Sequence, residues 1–471
     1  MSPRPDQRRP VAVALAGAFL AGPWEPAAMA RRARAALAPP DDRRRWPRRL
    51  ADIAVRAFPD PPVDAPRELA DLLAAAQPFV RAFAGGEPST RPRARRWHGT
   101  PTAMGPARWP VPPLPDLAAL AGWLAVTPEH LAWFADVRSY ERTAPDEPLR
   151  HYRRRWVTKP DGSARLLEAP KRELKDLQRQ VLHQVLDRVP AHPAAHGFRP
   201  GRSAITAATP HAGRAVVVRL DLEAFFAHVA VGRVYGLFRL AGYPEPVAHA
   251  LAGLCTTVTP LATRRQAPPA RSRTGGTGVG GSVVPDPVER RRRLLAALAV
   301  PHLPQGAPTS PALANLVAHG LDRRLAGLAA RLGGTYTRYA DDLVLSGGRD
   351  LARRADAVTV TVAGIVEDEG FRLHAGKTRV RTAAQRQVVT GLVVNARPNV
   401  ARREVDRLRA VLHDAATAGP EAANREGHPD FRSHLAGRIA WVVAANPARA
   451  PRLEAAFAAI AWPEASDDGA A

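Results

Sequence analysis

Two adjacent carboxylates, Asp341 and Asp342, lie in a segment with the sequence TRYADDLVLS. Adjacent like charges repel, and a buried carboxylate needs a cation nearby. Most Asp-Asp pairs lie on a solvated surface, but here Tyr339 and the apolar run at 343–345 predict two core strands around a tight turn. We therefore expect this pair to hold a cation.

A third carboxylate, Asp221, ends the apolar part of RAVVVRLDLEAFF (214–226), which predicts a buried strand. One carboxylate on a strand and a pair on a neighbouring hairpin can together hold two Mg²⁺ ions, because hard divalent cations prefer oxygen ligands. Two such ions stabilise the attacking and leaving oxygens of a phosphoryl transfer. The pattern therefore points to nucleotidyl-transfer chemistry.

The bulk composition restricts the partners and the compartment. The chain has 471 residues and a formal net charge of +24, which favours a polyanionic partner such as nucleic acid. Part of the arginine and alanine excess is also what a GC-rich genome would give. The single cysteine, Cys255, excludes an internal disulfide and a cysteine-based zinc cage, so a reducing cytoplasm is the simplest compartment. No apolar run reaches the roughly 20 residues that span a bilayer.

Several segments position the carboxylates. Residues 1–112 are rich in Arg, Ala and Pro, with helical segments predicted at 11–38 and 66–84. Thr127-Pro128 marks a helix start, 153–170 a hairpin, 171–189 an amphipathic helix and 399–460 further helices. Residues 263–293 lack periodicity and predict a mobile insertion, whose deletion should leave polymerisation on a simple primer–template intact.

Further segments then follow in an order that resembles one protein family. In chain order they are KPDGSARLLEAP, LKDLQRQVL, AAHGFRPGRS, LDLEAFF, LPQGAPTSPALANL, YTRYADDLVLSG, HAGKTRV and VTGLVVN. From about Leu114 to Ile460 the chain resembles a reverse transcriptase of the bacterial retron type. AATPH (207–211) is similar to the retron element Asn-Ala-x-x-His, with Ala207 in place of Asn, and Val389-Thr390-Gly391 matches the retron Val-Thr-Gly.

The resemblance implies an α+β, right-hand polymerase fold. Its parts would be fingers and a palm, with an antiparallel sheet packed on helices, over 113–395, including the flexible insertion at 263–293. A helical thumb would span 396–460 and a tail 461–471. A mostly helical, basic extension would precede them at 1–112.

The resemblance also implies roles for the acidic cluster. Asp221, Asp341 and Asp342 would be the catalytic, metal-binding carboxylates, with the backbone carbonyl of Leu222 as a further ligand. The cofactor would be two Mg²⁺ ions, with Mn²⁺ as a substitute. Lys377 matches the lysine proposed to protonate the leaving pyrophosphate, the alternative being a solvated turn lysine.

Five further positions match the family's nucleotide site. Arg165 would grip the triphosphate, with Lys159 as a second contact, unless the hairpin is only a solvated charged loop. Phe226 matches the aromatic gate that excludes a ribose 2′-hydroxyl, the alternative being a phenylalanine of the core. Gln305 and Gly306 match a loop that contacts nucleotide and template, the alternative being an ordinary turn before a helix.

The remaining matches concern the template, the primer and the product duplex. Arg199 and Arg202 would contact the template backbone, or else cap helices and form ion pairs. Thr390 and Gly391 would hold the primer end. A basic helical face of the thumb would bind an RNA stem by recognising its shape and its phosphates. Each arginine alone could instead be a solvated charge. The members of this face are Arg402, Arg403, Arg407 and Arg409.

The resemblance therefore implies an RNA-directed DNA polymerase. Its partners would be dNTPs, a cognate noncoding RNA that serves as template and primer, the RNA–DNA hybrid product and an effector protein, in antiphage defence and without a membrane. The alternatives are another bacterial reverse transcriptase class, such as a group II intron relative or a standalone defence enzyme, and a non-catalytic RNA-binding relative. An RNA-dependent RNA polymerase is disfavoured by Phe226.

Overall fold

The computed structural model describes residues 8–39, 45–84, 91–99, 102–158, 163–270 and 286–462. Within these ranges no helix has the length and apolar character needed to cross a membrane. The first helices are α1 (Arg8–Leu20), α2 (Pro26–Ala35), α3 (Trp46–Ala57), α4 (Pro66–Ala75), α5 (Gln77–Ala84), α6 (Leu117–Trp123), α7 (Pro128–Ala135), α8 (Arg172–Gln184), α9 (Ala204–Ala208), α10 (Val231–Leu240) and α11 (Glu245–Cys255).

The later helices are α12 (Leu261–Arg265), α13 (Pro287–Ala297), α14 (Ser310–Val317), α15 (His319–Arg331), α16 (Arg349–Arg353), α17 (Ala355–Asp368), α18 (Arg402–Ala418), α19 (Pro420–Ala423), α20 (Phe431–Ala445) and α21 (Ala450–Ala458). The strands are β1 (Leu37–Ala38), β2 (Arg93–Ala94), β3 (Tyr152–Thr158), β4 (Ala164–Pro170), β5 (Val216–Asp221), β6 (Thr335–Tyr339), β7 (Asp342–Gly347), β8 (Arg379–Thr382), β9 (Val388–Val389) and β10 (Leu392–Val393).

The N-terminal helices α1–α5 enclose a hydrophobic cluster of their own, with Leu15, Phe19 and Phe79 at its centre. The segment predicted to be helical over 11–38 consists of two helices, α1 and α2. The chain breaks between α1 and α2, where Gly22-Pro23 weakens helix continuation, and α2 begins at Pro26.

A buried glutamate fastens this helical cluster to the rest of the chain. Glu245 in α11 accepts hydrogen bonds from the backbone N–H groups of Arg67 and Glu68, at 2.5 and 2.8 Å. These N–H groups belong to the first turn of α4, whose own N-cap, Ala65, offers no side-chain acceptor. A carboxylate from α11 therefore caps α4.

The central sheet is antiparallel, with the strand order β6-β7-β5-β8. On one face, Val216, Val218 and Leu220 join the largest hydrophobic cluster, which also contains residues of α8, α10, α11 and α15. On the other face, Val217 and Val344 join a second cluster with α18 and α20. Because β5 is buried on both faces at Val216, Val217 and Val218, these three successive residues are apolar, and Arg219 is the first polar residue of the strand.

The prediction of an aperiodic insertion over 263–293 is wrong at both ends, while residues 271–285 lie outside the described ranges. Residues 261–265 form α12, and α13 begins at Pro287. The Asp286 side chain caps α13 by accepting from the Val288 N–H, at 3.3 Å. A cap, a proline at the first position and arginines with high helix propensity favour a helix here without an apolar stripe.

The last part of the chain is helical, as predicted for 399–460. Helices α18, α20 and α21 pack around Leu408, Leu412, Leu435 and Leu453, all buried. The hairpin of β9 and β10 joins this same cluster through Val389 and Leu392. The second face of the sheet is therefore covered by the C-terminal helices.

Candidate active site

The antiparallel register of β5 and β7 brings the predicted carboxylates together. Asp221 lies directly opposite Asp342, at the end of both strands. The carbonyl oxygen of Asp341 accepts from the Leu222 N–H at 2.9 Å, which ties the turn to β5. Ala340 adopts φ +55°, the left-handed conformation that this tight turn requires.

Within the part of the chain that the structure describes, two side-chain cations contact these carboxylates. The Lys377 ammonium donates to both carboxylate oxygens of Asp221, at 3.0 and 3.1 Å. The Arg219 guanidinium binds Asp342 and reaches both of its oxygens at 2.9 Å. Arg219 is two residues before Asp221 on β5, so both side chains project from the same face.

Negative charge remains in excess at this site. Burial raises the pKa of Asp221 to about 6, the charge of Asp341 adds to the rise, and the hydrogen bond from Lys377 opposes it. Burial likewise raises the pKa of Asp342, against the pull of Arg219. Raised carboxylate pKa values beside two cations indicate a site that would gain from further positive charge.

The donor set fits a hard divalent cation, because it consists of carboxylate and carbonyl oxygens. Among the described residues, however, no three His, Cys, Asp or Glu side chains stand in a metal-holding arrangement. Asp221 is turned to Lys377 and Asp342 to Arg219. The four predicted metal ligands are thus neighbours, and their role as ligands stays a prediction.

A cleft of about 790 Å³ opens over the carboxylates. Asp221, Leu222, Asp341 and Lys377 line it together with three of the predicted nucleotide contacts, Arg165, Phe226 and Gln305. Lys159 lies outside the described residues. Arg165 is exposed on β4, which pairs with β3 as the predicted hairpin.

Phe226 belongs to an aromatic group in the cleft. Its ring centroid lies 5.8 Å from that of Phe225 and 6.3 Å from that of Phe198. Phe198 is 51% exposed and has φ +59°. Sequence reasoning missed Phe198, although an aromatic residue in the template-like segment HGFRPG was a signal for it.

The backbone at Gly306 packs closely against strand β4 of the same chain. The carbonyl of Gln305 accepts from the Glu168 N–H of β4 at 2.9 Å. Gly306 has φ +134°, and a Cβ there would lie 3.1 Å from the Glu168 carbonyl oxygen. The glycine therefore joins this loop to the β3–β4 hairpin, while its contact with nucleotide stays a prediction.

The predicted template and primer contacts are not among the residues that line the cleft, although Arg199 directly follows Phe198, which does line it. Arg199 donates to the carbonyls of His192 and Ala195, at 3.0 and 2.9 Å, so it holds its own loop, whereas Arg202 is exposed. Thr390 and Gly391 form the β9–β10 turn with φ +48° and +86°.

The basic face of α18 is exposed, as the predicted RNA contact requires, but it is partly paired. Arg407 contacts Glu426 at 2.5 Å, while Arg402 and Arg409 reach Asp406 at 3.6 and 4.0 Å. Exposed pairs of this kind contribute little to stability and exchange readily for phosphate. Arg403 completes the face.

The retron-like AATPH element contacts strands β6 and β7 of the central sheet. The ring nitrogens of buried His211 lie 2.6 Å from Ser346 Oγ and 2.7 Å from Thr337 Oγ1. Burial lowers the pKa of His211 to about 3, so the ring is neutral at physiological pH. The Ala207 carbonyl accepts from Thr337 Oγ1 at 3.2 Å. This histidine therefore supports β6 and β7.

A fully buried arginine holds the YADD turn, and sequence reasoning missed it. Arg338 binds both carboxylate oxygens of Asp322, at 2.8 and 2.6 Å. Its third nitrogen donates to Asn315 Oδ1 at 2.9 Å and to the Ala340 carbonyl at 3.1 Å. The signal for it was a charged residue inside an otherwise apolar strand, directly before Tyr339.

Comparison with known proteins agrees with this geometry. Residues 298–405, which contain the YADD turn, match the family described as reverse transcriptase (RNA-dependent DNA polymerase). The chain is 44% identical over 318 residues to the retron Mx65 reverse transcriptase of Myxococcus xanthus, covering 67% of this chain and 66% of that protein. The chain belongs to the retron-type reverse transcriptases.

Two other retron-type relatives support the assignment. The retron Mx162 reverse transcriptase of Myxococcus xanthus is 39% identical over 351 residues, covering 71% of this chain and 65% of the relative. The retron Ec86 reverse transcriptase of Escherichia coli is 30% identical over 255 residues, covering 54% and 66%. The chain thus spans about two thirds of the length of these relatives.

Among solved structures, a telomerase from Candida albicans in complex with a fragment of telomeric RNA gives a TM-score of 0.32 at 10% identity, covering 66% of this chain and 56% of that one. A likeness at that level carries no argument about this chain. The assignment to the retron-type family depends on the sequence matches.

Proposed function

We propose that this protein is an RNA-directed DNA polymerase that copies a cognate structured noncoding RNA into a branched, RNA-linked single-stranded DNA. The observation that carries the proposal is the register of β5 and β7, which pairs Asp221 with Asp342 beside Asp341 at the floor of a cleft lined by Arg165 and Phe226. Binding RNA alone needs no such cluster of carboxylates.

The carboxylates and Lys377 have distinct parts in the proposed chemistry. Asp221, Asp341, Asp342 and the Leu222 carbonyl would hold two Mg²⁺ ions, which when bound supply charge stabilisation for phosphoryl transfer. Lys377 lies 3.0 Å from Asp221, where it can donate a proton to departing pyrophosphate.

The walls of the cleft would select and grip the nucleotide. Arg165, on the β3–β4 hairpin, would bind the triphosphate, with Lys159 beside it. Phe226 would lie under the sugar and exclude a 2′-hydroxyl, while Gln305 and Gly306 would meet the base.

We also propose a right-hand division of the chain. Fingers would comprise 113–213 and part of 230–310, the palm would carry the central sheet, and the thumb would be 396–460. The extension 1–112 and the tail 461–471 would flank them. Separate hydrophobic cores for the N-terminal helices and for the C-terminal helices support this division.

The partners follow from the proposed reaction. The protein would act in the cytoplasm on dNTPs and on an RNA that is both template and primer, and it would work with an effector protein in antiphage defence. Arg199, Arg202, Thr390, Gly391 and the basic face of α18 would contact the nucleic acid.

The test is extraction of nucleic acid from cells that express the native locus. Wild type is compared with Asp341→Ala/Asp342→Ala and with a matched control, Asp350→Ala/Asp356→Ala, which removes two exposed carboxylates from α16 and α17. We expect a discrete species sensitive to both RNase and DNase in wild type and control only.

Other outcomes favour the alternatives. If no such species forms but the purified protein extends a DNA primer on RNA, the protein is a reverse transcriptase of another class. If neither activity is found, RNA binding without catalysis becomes the better interpretation.

A further inference from the structure

One face of α13 lines the catalytic cleft. Its members are Pro287, Arg290, Arg291 and Leu294, followed by Leu298 at the C-cap; apart from the adjacent pair Arg290 and Arg291, successive members are three or four residues apart, as one side of a helix requires. This helix lies between β5 and β6 in sequence, in and after the segment predicted to be a mobile insertion. A part of the chain with no expected role in the site therefore forms one of its walls.

The arginines of α13 differ in how their charges are compensated. Arg292 and Arg293 both bind Glu289, at 2.7 and 2.8 Å, and none of these three residues is among those that line the cleft. Arg291 donates to the carbonyls of Ala267 and Pro268, each at 2.9 Å, and so anchors the helix.

Arg290 has no carboxylate partner within 4.0 Å in the part of the chain that the structure describes. Its guanidinium instead meets the imidazole Nε2 of His374, at 2.5 Å. An imidazole nitrogen that accepts a hydrogen bond brings no negative charge to the guanidinium. The carboxyl of Glu223, in the same cleft, feels the charges of both Arg290 and Arg293, which oppose the rise of its pKa caused by burial. Arg290 thus differs from Arg292 and Arg293, the ion-paired arginines of the same helix.

His374 places this charge beside the carboxylates. Its backbone N–H donates to the Asp221 carbonyl at 2.7 Å, and the following turn, Ala375–Lys377, carries the lysine that binds Asp221. Arg290 therefore stands next to the turn from which Lys377 reaches the site. Arg165 lines the same cleft from β4.

We propose that Arg290 binds a phosphate group of the incoming nucleotide and of the pyrophosphate that leaves. This inference rests on the proposed function. A guanidinium with free N–H donors binds phosphate oxygens through charge-assisted, often bidentate, hydrogen bonds. The phosphates of the nucleotide fit this place better than those of the primer–template backbone, because Arg290 is beside the Lys377 turn, where the leaving group would be.

The test compares Arg290→Gln and Arg290→Lys with Arg292→Gln, a matched control on the same helix with an exposed side chain. Three quantities are measured on a DNA primer annealed to RNA: KM for dNTP, the pyrophosphate concentration that halves the rate, and the Kd of the primer–template. We expect Arg290→Gln to raise the first two about ten-fold or more, as loss of a charge-assisted hydrogen bond predicts.

The control and the conservative variant sharpen the result. Arg292→Gln should change neither quantity more than about two-fold, in keeping with a surface charge. For Arg290→Lys, the KM for dNTP and the inhibitory pyrophosphate concentration should fall between those of wild type and Arg290→Gln, because an ammonium keeps the positive charge but lacks the planar, bidentate donor geometry of guanidinium. The Kd of the primer–template should stay the same in all of them.

Two results would overturn the inference. One is that Arg290→Gln and Arg292→Gln have the same KM for dNTP and the same inhibitory pyrophosphate concentration. The other is a change confined to the Kd of the primer–template, which would assign Arg290 to a backbone phosphate. If the wild type extends no primer, the proposed function fails separately. Calorimetric binding of inorganic pyrophosphate to the same variants then still tests Arg290, since equal affinities would contradict its role.

Discussion

Replacing Arg338 by methionine should destabilise the protein strongly. Arg338 and its partner Asp322 both have side chains that are 0% exposed, and the two are joined by hydrogen bonds at 2.8 and 2.6 Å. Methionine is similar in length but leaves the Asp322 carboxylate buried, with the Tyr336 hydroxyl as its remaining donor among the contacts described. Removing one partner of a buried ion pair costs roughly 3–5 kcal/mol.

The same substitution removes two further hydrogen bonds. Asn315 and the Ala340 carbonyl both lose a donor, and each bond contributes on the order of 1 kcal/mol without strict additivity. Domains are stable by only about 5–15 kcal/mol, so the loss is a large fraction of the total. If the damage comes mainly from the unpaired charge, Arg338→Met/Asp322→Leu should recover much of it, since apolar replacement of a whole buried pair is often neutral.

The assay is urea unfolding followed by far-UV circular dichroism, with Arg233→Met as the matched control. Arg233 also donates to a backbone carbonyl, that of Glu369, and lies over an aromatic ring, but its side chain is 32% exposed. We expect a clearly lower midpoint for Arg338→Met than for Arg233→Met. Equal midpoints, or a double variant as unstable as the single one, would refute the reasoning.

Three further predictions follow from the same contacts. Asp221 has a folded-state pKa of about 6, above its unfolded value, so its contribution to stability falls as pH rises from about 4 to 6. In EDTA at pH 7, Asp221→Asn should therefore raise the melting temperature, with a gain in the free energy of unfolding on the order of 1–3 kcal/mol. The gain should vanish below about pH 4. Phe226→Ala should admit rNTPs in a competition against dNTPs, and unchanged sugar selectivity would contradict the gate. Gly306→Ala should lower the melting temperature, because its φ is +134° and its Cβ would press on Glu168, whereas Gly327→Ala, in open space within α15, should not.

Where an element is buried against an apolar core, the sequence predicted it well. The strands that carry the carboxylates are flanked by β-branched and aliphatic residues, and the predicted helix start at Thr127-Pro128 is confirmed by the Thr127 hydroxyl accepting from the His130 N–H at 3.2 Å. These features depend on a few neighbouring residues. Local propensity is therefore enough to identify them.

The partners of the carboxylates could not be predicted in the same way. Arg219 reaches Asp342 only because the register of β5 and β7 is the one observed, and Lys377 reaches Asp221 from a turn that is 156 residues away in sequence. A shift of one residue in the register would move Arg219 to the opposite face. The identity of the compensating cations is thus a property of the tertiary fold.

Helix α13 shows why functional segments are missed by apolar periodicity. In a helix that packs on a hydrophobic core, apolar residues such as leucine and valine recur at helical spacing. In a helix that lines a charged cleft, some of those positions are taken by polar residues. On the cleft-lining face of α13, Arg290 and Arg291 take two positions, followed by Leu294 and by Leu298 at the C-cap. The apolar pattern fades towards the N-terminal end of the helix, where Arg290 meets His374 and where we propose that it binds phosphate. When apolar residues lose their helical periodicity within an arginine-rich segment that has a helix cap, the segment can therefore be a helix that lines a polar site as well as a loop.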